Sequence, residues 1–341
     1  MNKLKKLRKY FKTYNLDGYI VPKNDEFFGE YVDERNDRLN YISSFSGSAG
    51  YALILKKKSY LFIDGRYTLQ AKKESDKNFK IIEIHISKPS KILLKIHKKL
   101  KIGFDPKLFS EANLISNFKT KNTSLIPIKQ NLIDKIWLNR PKAIIKEFFV
   151  LNSKYTGKNY RNKLNLVSKI LKKRKINKLL ITAPENLAWL LNIRGKDSKY
   201  SPLPNCHAIL DDKKKITLIV NKNKINNKFK LHFKNILKYI NPLYITKYFD
   251  SLNRNEFFLI DKFSCSFFYK KLIAKKFKYD EKNDPIYILK AKKNNVEISN
   301  SVKSHILDGV ALTKFIYWVK NNVSKFKITE LSAEKKLEKF R

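Results

Sequence analysis

The five histidines are the first residues to consider for chemistry, because histidine is a frequent metal ligand and general base. They are His85, His97, His207, His232 and His305. No two of them stand at the H-x-H or H-x-x-x-H spacing that directs both rings to one metal, and none accompanies a paired-aspartate motif. We therefore predict no metal ligand and no catalytic residue within this sequence, and we interpret each histidine as a packed or solvated side chain.

One arginine stands at a position suited to ligand binding. Arg66 follows Asp64-Gly65 in the stretch LFIDGRY, and it is one of ten arginines in a chain with 74 basic residues. A strand is predicted before it and a helix from about Tyr67 to Lys73, so Arg66 lies at the carboxyl end of a strand, where open α/β sheets bind ligands. Its guanidinium can donate in parallel to a carbonyl or carboxylate, which lysine cannot do. From the residues alone, an ordinary turn residue is the alternative.

Two further stretches could be mistaken for catalytic motifs. Gly47-Ser48-Ala49-Gly50 lacks the Gly-Lys-Ser/Thr ending of a phosphate loop and is one residue short of the G-x-S-x-G elbow, so we interpret it as a close-packed turn. Cys206 and Cys265 form no framework, which suits a reducing compartment and argues against a cysteine-rich zinc site. His207 follows Cys206 directly, but neighbouring side chains on a strand point to opposite faces, and we interpret both as structural.

The composition indicates a soluble protein of at least two domains. The chain has 341 residues, 43% of them hydrophobic, and no apolar run approaches the ~18 residues of a membrane span. The basic amino-terminal stretch has no apolar core or cleavage site of a signal peptide, so we expect a cytoplasmic protein. The net charge is +44, but the lysines are spread along the chain and not gathered in a patch. A charge-driven nucleic-acid binder is therefore only our third hypothesis.

The hydrophobic pattern predicts three successive parts. Residues 1–141 alternate helices and strands, beginning with a basic helix over 2–14 and including the strands GYIVP, YALIL, YLFID, KIIEIHI and KIGFD. A further helix is predicted over residues 90–100, SKILLKIHKKL. Residues 142–284 repeat this plan with a helix over 159–175 and the strands KLLIT, CHAIL, KITLIV and FFLID. Residues 285–341 are helical only, with an apolar period near 3.6 after residue 296 and Thr329 as an N-cap.

Several blocks, in order, resemble the Xaa-Pro aminopeptidases of the creatinase and pita-bread metallopeptidase family. The first is EYVDERNDRLNYISSFSGSAGYALILKKKSYLFIDGRYTLQAKKE. It is followed by IPIKQNLIDKIWLNRP, YTGKNYRNKL, ENLAWLLNIRGKDSKYSP, ILKAKKNNVEI and HILDGVAL with ITELSAEKKLEKFR. The resemblance implies an α/β fold class with two creatinase-type N-terminal α/β domains, mixed sheets covered by helices, followed by the first helices of an incomplete pita-bread domain.

The same resemblance implies a function. Family members remove the first residue from peptides with proline at the second position, and the arginine matching Arg66 contacts the peptide substrate. Their two divalent metal ions, typically manganese, are held by two aspartates, one histidine and two glutamates that match nothing before Arg341; Asp308 is not one of them. We therefore expect this chain to be the non-catalytic part of a homodimeric, cytoplasmic enzyme, binding no metal and inactive alone. The alternative is a peptide- or protein-binding module derived from the family.

Overall fold

The computed structural model describes residues 2–143 and 145–341. Its first α/β unit spans residues 3–136. The helices of this unit are α1 (Lys3–Thr13), α2 (Arg38–Ser43), α3 (Thr68–Glu74), α4 (Pro89–Leu94), α5 (Glu111–Phe118) and α6 (Leu132–Ile136). Its strands are β1 (Gly18–Pro22), β2 (Gly50–Leu55), β3 (Ser59–Ile63), β4 (Phe79–Glu83), β5 (Leu100–Phe104) and β6 (Thr123–Pro127).

These strands form one mixed sheet in the order β4-β3-β2-β1-β5-β6. Strand β2 is antiparallel to both of its neighbours, with Gly18 of β1 opposite Leu55 and Ile63 of β3 opposite Gly50. The pairs β3–β4, β1–β5 and β5–β6 are parallel. The carboxyl ends of five strands therefore lie along one side of the sheet, which we call the first carboxyl edge.

Alternation along the strands places apolar side chains on both faces of this sheet. Tyr19 and Val21 pack with α1, α2 and α6, whereas Ile20 packs on the opposite side with α4 and α5. Helix α1 contributes Leu4 and Leu7, which are three residues apart and so share one helical face. Each fully buried side chain of this size stabilises the fold by about 1.5–3 kcal/mol.

The second α/β unit spans residues 149–281. Its helices are α7 (Ser153–Thr156), α8 (Tyr160–Lys173), α9 (Pro184–Leu191), α10 (Asn227–His232), α11 (Ile245–Ser251) and α12 (Phe267–Ala274). Its strands are β7 (Phe149–Val150), β8 (Lys178–Ile181), β9 (Ile193–Arg194), β10 (His207–Asp211), β11 (Ile216–Ile219), β12 (Leu237–Ile240), β13 (Phe257–Ile260) and β14 (Lys278–Glu281).

The main sheet of the second unit repeats the topology of the first. Its order is β12-β11-β10-β8-β13-β14, and β7 pairs separately with β9. As in the first sheet, the strand that is second in chain order, here β10, is antiparallel to its neighbours, and the outer pairs are parallel. The carboxyl ends of five strands again share one side, the second carboxyl edge, where β10 begins at His207. The duplication that the sequence suggested is therefore present in the topology.

A helical segment, residues 286–340, follows the two sheets. It consists of α13 (Ile286–Ala291), α14 (Asn295–Asn322) and α15 (Glu330–Phe340). Helix α14 has the apolar period that the sequence predicts, but among its residues only Ala311 is buried. Helix α15 folds back on α14 through an ion pair between Arg341 and Asp308, with Nε and Oδ1 2.7 Å apart. No helix within the described ranges has both the length and the apolar character to cross a membrane.

The predicted α/β class is confirmed, whereas two predicted elements are too long. The strand KIIEIHI was expected to include His85, but β4 ends at Glu83, and His85 lies in the turn that follows. The reason is that β4 pairs only with β3, whose last residue, Ile63, lies opposite Glu83. The helix expected over residues 90–100 ends at Leu94, because Leu100 already pairs with Thr123 in the sheet.

Candidate functional site

Arg66 projects from the first carboxyl edge into solvent. It lies in the 3₁₀ turn Gly65–Tyr67 directly after β3, and its side chain is 70% exposed. Asp64 is the N-cap of this turn, and its Oδ1 accepts hydrogen bonds from both N (3.0 Å) and Nε (2.8 Å) of Arg66. These bonds from Arg66 lower the pKa of the Asp64 carboxyl. Asp64 occupies Nε, whereas Nη1 and Nη2 of the guanidinium form no hydrogen bond within the described residues.

The loop Ser46–Ala49 lies beside Arg66 and is fixed by side-chain contacts. Ser48 Oγ is 2.6 Å from the hydroxyl of Tyr67, whose ring lies 5.3 Å from the guanidinium carbon of Arg66. Ser46 donates from both N and Oγ to Glu74 of α3. A Cβ on Gly47 would lie 2.1 Å from the ring of Phe45. The structure therefore supports the interpretation of this glycine-rich stretch as a close-packed turn, which holds the surroundings of Arg66 in place.

A buried ionic network lies behind this edge, and the sequence did not single it out. Arg38 at the start of α2 has a side chain only 2% exposed. It donates through Nε and Nη2 to both oxygens of Asp134 at 2.8 and 3.0 Å and through Nη2 to Glu26 at 2.8 Å. Burial acts to lower the pKa of Arg38, but Glu26 and Asp134 outweigh it and the pKa is raised. The pairing ties α2 and α6 to the loop after β1.

Two buried carboxyl groups near this network have raised pKa values. Asp25 is buried in the loop after β1, and burial together with the neighbouring Glu26 raises its pKa to about 6. Asp105, at the end of β5, is also buried and accepts a hydrogen bond from Asn131 at 2.8 Å. Burial raises its pKa as well. These groups hold loops of the first carboxyl edge together by hydrogen bonds to backbone and amide groups, a structural role.

The histidines are dispersed, and most of them lie at the surface. His85 is exposed and its Nε2 is 3.3 Å from Glu83, while His305 on α14 is exposed and hydrogen-bonds Ser301. His97 is exposed, and His232 packs against the ring of Phe233 at 4.7 Å. Within residues 2–143 and 145–341, no three side chains among histidine, cysteine, aspartate and glutamate are arranged to hold a metal ion.

His207 is different, because it is buried between the two units. Its Nδ1 is 3.0 Å from the hydroxyl of Tyr269, and its ring lies 5.0 Å from Phe27 of the first unit. Burial lowers its pKa to about 4. Cys206 is buried beside it, and burial raises the pKa of its thiol. The contacts support the interpretation of both residues as structural, and they show that His207 is part of the junction between the units.

The two carboxyl edges face each other across this junction. The first residues of α12 bond to the first unit, with Phe267 N donating to Phe109 O (2.7 Å) and Phe268 N donating to Pro106 O (2.8 Å). Lys270 adds an ion pair with Glu111 at 2.6 Å. These contacts fix one side of the junction.

The chain is similar to known proteins along nearly its whole length. The chain matches the family described as Creatinase/Prolidase N-terminal domain twice, over residues 3–136 and over residues 139–297. "Xaa-Pro aminopeptidase 1" of Dictyostelium discoideum is 32% identical over 99% of this chain and 57% of its own length. "Probable Xaa-Pro aminopeptidase P" of Laccaria bicolor is 31% identical over 99% of this chain and 54% of its own length.

A solved structure shares the whole fold. The X-prolyl aminopeptidase of Caenorhabditis elegans, described as a cytosolic enzyme with a di-nuclear active site, superposes with a TM-score of 0.89 at 24% identity, covering 99% of this chain and 59% of the other. This chain thus spans little more than half the length of the relatives that it matches. From two matches to one domain type and a collinear likeness along its length, we conclude that the chain belongs to the creatinase/prolidase family.

Proposed function

We propose that this chain is the substrate-recognition and scaffold part of an Xaa-Pro aminopeptidase, which hydrolyses the bond before a proline at the second position of a peptide. The observation that supports this most strongly is the collinear likeness to relatives bearing that name over 99% of the chain. The exposed guanidinium at the first carboxyl edge gives the proposal a specific residue. The whole protein would act in the cytoplasm as a homodimer.

The proposed role of Arg66 is to bind and orient the peptide. Its Nη1 and Nη2 groups donate in parallel to a carbonyl or carboxylate oxygen of the substrate, while Asp64 holds Nε and so fixes the plane of the guanidinium. Tyr67 and Ser48 support the position of this side chain from below. Binding in one orientation is what brings a scissile bond to a reacting group, so this contact contributes to turnover without taking part in bond cleavage.

The metal ions proposed for the complete enzyme are two divalent ions, with manganese as our proposal for their identity. When bound, such a pair activates water and stabilises the developing oxyanion. The described residues include no donor set that fits them. We therefore assign no metal-dependent step to residues of this chain. Domain boundaries near residues 141 and 284 are part of the same proposal, supported by the irregular backbone of residues 137–143 and 145–148 and by the turn before α13.

Two steps test the proposal. The nucleotides downstream of the codon for Arg341 are sequenced, and the longest polypeptide that contains this chain is assayed for peptidase activity. We expect release of the first residue from an Xaa-Pro-Xaa tripeptide in the presence of Mn²⁺, and no release from the matched Xaa-Ala-Xaa peptide. Binding of the tripeptide without any release would instead favour a non-catalytic peptide-binding module. Equal cleavage of both peptides would refute the specificity for proline.

A further inference from the structure

A second candidate site lies between the two carboxyl edges. The junction encloses a cavity of about 520 Å³, which is the size of a small-molecule site. The first unit lines it with the loops after β1, β5 and β6, and the second unit with the start of β10 and the segments after β11, β12 and β13. Both sheets therefore direct the carboxyl ends of their strands at one space, the position at which open α/β sheets bind ligands.

The cavity is bounded by fixed contacts. On one side, Phe268 N donates to the carbonyl of Pro106 at 2.8 Å. On another, the ring of His207 packs against Phe27 at 5.0 Å and bonds Tyr269 through Nδ1. These contacts join the two units around the cavity, so the space is a feature of the packed molecule and does not require the units to separate.

The chemistry of the lining changes from its floor to its rim. The floor is buried and apolar or aromatic, with Ile219, Val220, Ile245, His207 and Tyr269. The rim carries exposed lysines. A ligand that fits this arrangement has a flat apolar body for the floor and a polar or charged group for the rim.

The charges at the rim favour an anion. Three lysines line the cavity, and only one carboxylate among the described residues does so, Glu26, which is occupied by Arg38 at 2.8 Å. Lys224 is already paired with Asp197 at 2.7 Å. Among the residues that the structure describes, Lys107 and Lys129 form no ion pair. Two cations at the mouth of the cavity therefore lack a partner of opposite charge among the described residues.

Aromatic and amide side chains supply the remaining complementarity. Phe27 of the first unit and Phe268 of the second both line the cavity, and Lys107 lies 5.5 Å from the ring of Phe268. The side-chain amides of Gln130 and Asn205 also line the space. Such groups recognise the edge of a heterocycle, whereas aromatic faces stack on its plane.

We propose that this cavity binds a planar heteroaromatic anion of the size of a nucleoside monophosphate, with the ring on the aromatic floor and the phosphate between Lys107 and Lys129. The site is separate from Arg66 and does not depend on the proposed peptidase function. Binding would hold the two units together through groups from both, because the ligand contacts each edge.

Isothermal titration calorimetry of the full chain at 150 mM salt tests this proposal with three probes. AMP carries both ring and phosphate, adenosine only the ring, and ribose 5-phosphate only the anion. We expect AMP to bind at one site per chain and each of the other two to bind at least tenfold more weakly. No measurable AMP binding at millimolar concentration, or equal binding of ribose 5-phosphate at several sites, would overturn the proposal in favour of diffuse attraction to a basic surface.

Variants locate the binding in the molecule. The double variant Lys107→Ala/Lys129→Ala should weaken the affinity for AMP at least tenfold. The control Lys57→Ala/Lys58→Ala removes the same charge from the β2–β3 turn at the opposite side of the sheet and should change the affinity less than twofold. Thr246→Trp places a bulky ring in the cavity from an exposed position and should also abolish binding. Equal loss in both lysine pairs, or full binding by the tryptophan variant, would contradict a site in the cavity. Melting temperatures measured alongside show that the variants are folded.

Discussion

Two arginines of the first unit have opposite environments, and these determine what each can do. Arg38 is buried, and its Nε and Nη2 donate within the fold to both oxygens of Asp134 and to Glu26. Arg66 is exposed and only its Nε is held, by Asp64. Removing the first deprives Glu26 of its ion pair and leaves Asp134 with Arg140 alone, a structural defect, whereas changing the second alters a surface that meets solvent.

Arg66→Lys in the longest polypeptide containing this chain should lower kcat/KM for an Xaa-Pro-Xaa peptide by about tenfold or more, since a hydrogen bond to a charged group contributes ~1.5–3 kcal/mol. Lysine keeps the charge and loses the parallel pair of donors. The melting temperature should not change, because the side chain is exposed. Arg254→Lys, another exposed arginine, serves as the control. Unchanged kinetics for Arg66→Lys would reduce Arg66 to a turn residue.

His207 should make the stability of the chain depend on pH. Its pKa is about 4 in the folded protein against an ordinary value of 6.5, so the unfolded chain takes up the proton first as the pH falls. The stabilisation from the neutral, buried His207 is complete above pH 6.5 and is lost progressively between pH 6.5 and 4. By pH 5 the loss amounts to ~2 kcal/mol of unfolding free energy.

Comparison of the native protein with His207→Phe isolates this effect. Asp25, whose pKa is raised to about 6, acts in the opposite direction and is present in both proteins. We therefore expect the unfolding free energy of the native protein, measured by urea denaturation, to fall relative to that of His207→Phe as the pH falls from 7 to 5. A difference that is constant over this range would contradict a neutral, buried His207.

At the scale of elements, the start of α14 is fixed by Asn294, which packs against Gly157. Gly157 ends α7 with φ +67°, and a Cβ there would lie 2.1 Å from Oδ1 of Asn294. Asn294 forms a capping box with Glu297 and donates to Thr156 O at 2.9 Å. The Asn294 side chain thus begins α14 and, together with Asn300, whose Nδ2 donates to Tyr155 O at 3.0 Å, joins it to the second unit.

Gly157→Ala should lower the free energy of unfolding by at least ~1–2 kcal/mol, the cost of a left-handed conformation for a residue with a Cβ, plus the effect of the clash. Asn294→Ala should cost ~1 kcal/mol through the lost cap. Because the second change removes the atoms that the new Cβ meets, the double variant should lose less than the sum.

Gly309→Ala is the matched control for this experiment. Gly309 lies within α14, and no described neighbour outside its own helix backbone comes within 4 Å of the position that a Cβ would take there. Alanine should therefore raise stability by about 0.5–1 kcal/mol through helix propensity. Strict additivity of the Gly157 and Asn294 changes in thermal or urea denaturation would show that the contact between them is not formed.

Sequence patterns predicted elements well where one face of each is apolar, and less well elsewhere. The edge strand β14, KYDE, and the strand β12 within a lysine-rich segment were not recognised, because an edge strand or a partly solvated one carries no strong apolar alternation. The apolar period of α14 correctly predicted a helix. It did not indicate exposure, since periodicity reports an apolar face and not whether anything covers it.

At the scale of the whole molecule, the candidate site was only partly predictable. The place of Arg66 after a strand could be predicted because a turn after a strand is a local feature, whereas its contact with substrate was implied by the family resemblance and stays a prediction. The network around Arg38 could not, because its partner Asp134 is 96 residues away in sequence and only the sheet order brings the two together. The cavity between the edges depends on the packing of two units, which no local pattern encodes.

We expect this chain by itself to release no residue from Xaa-Pro peptides, even with added Mn²⁺. The described residues include no donor set for metal ions. The measurement is release of the free first residue by purified protein, with the metal alone as a blank. Turnover that remains proportional to protein concentration after further purification would contradict this expectation.

The charge of +44 should not make the protein a nucleic-acid binder at physiological salt. Scattered lysines attract DNA only through counterion release, which weakens steeply with salt. We expect binding of mixed-sequence duplex DNA at ~20 mM salt and none at ~150 mM in a fluorescence anisotropy titration, because of this salt dependence. Saturable binding at the higher salt would restore the nucleic-acid hypothesis.

The contact between Gly157 and Asn294 affects where the far end of α14 lies. Helix α14 has 28 residues and so extends ~42 Å from this contact. A tilt of about 10° at its base would carry the far end, with α15, through roughly 7 Å, given that helix length. Helix α14 is therefore a long arm that Asn294 at Gly157 and Asn300 at Tyr155 O anchor near its base, and sub-ångström changes there are multiplied severalfold at the far end.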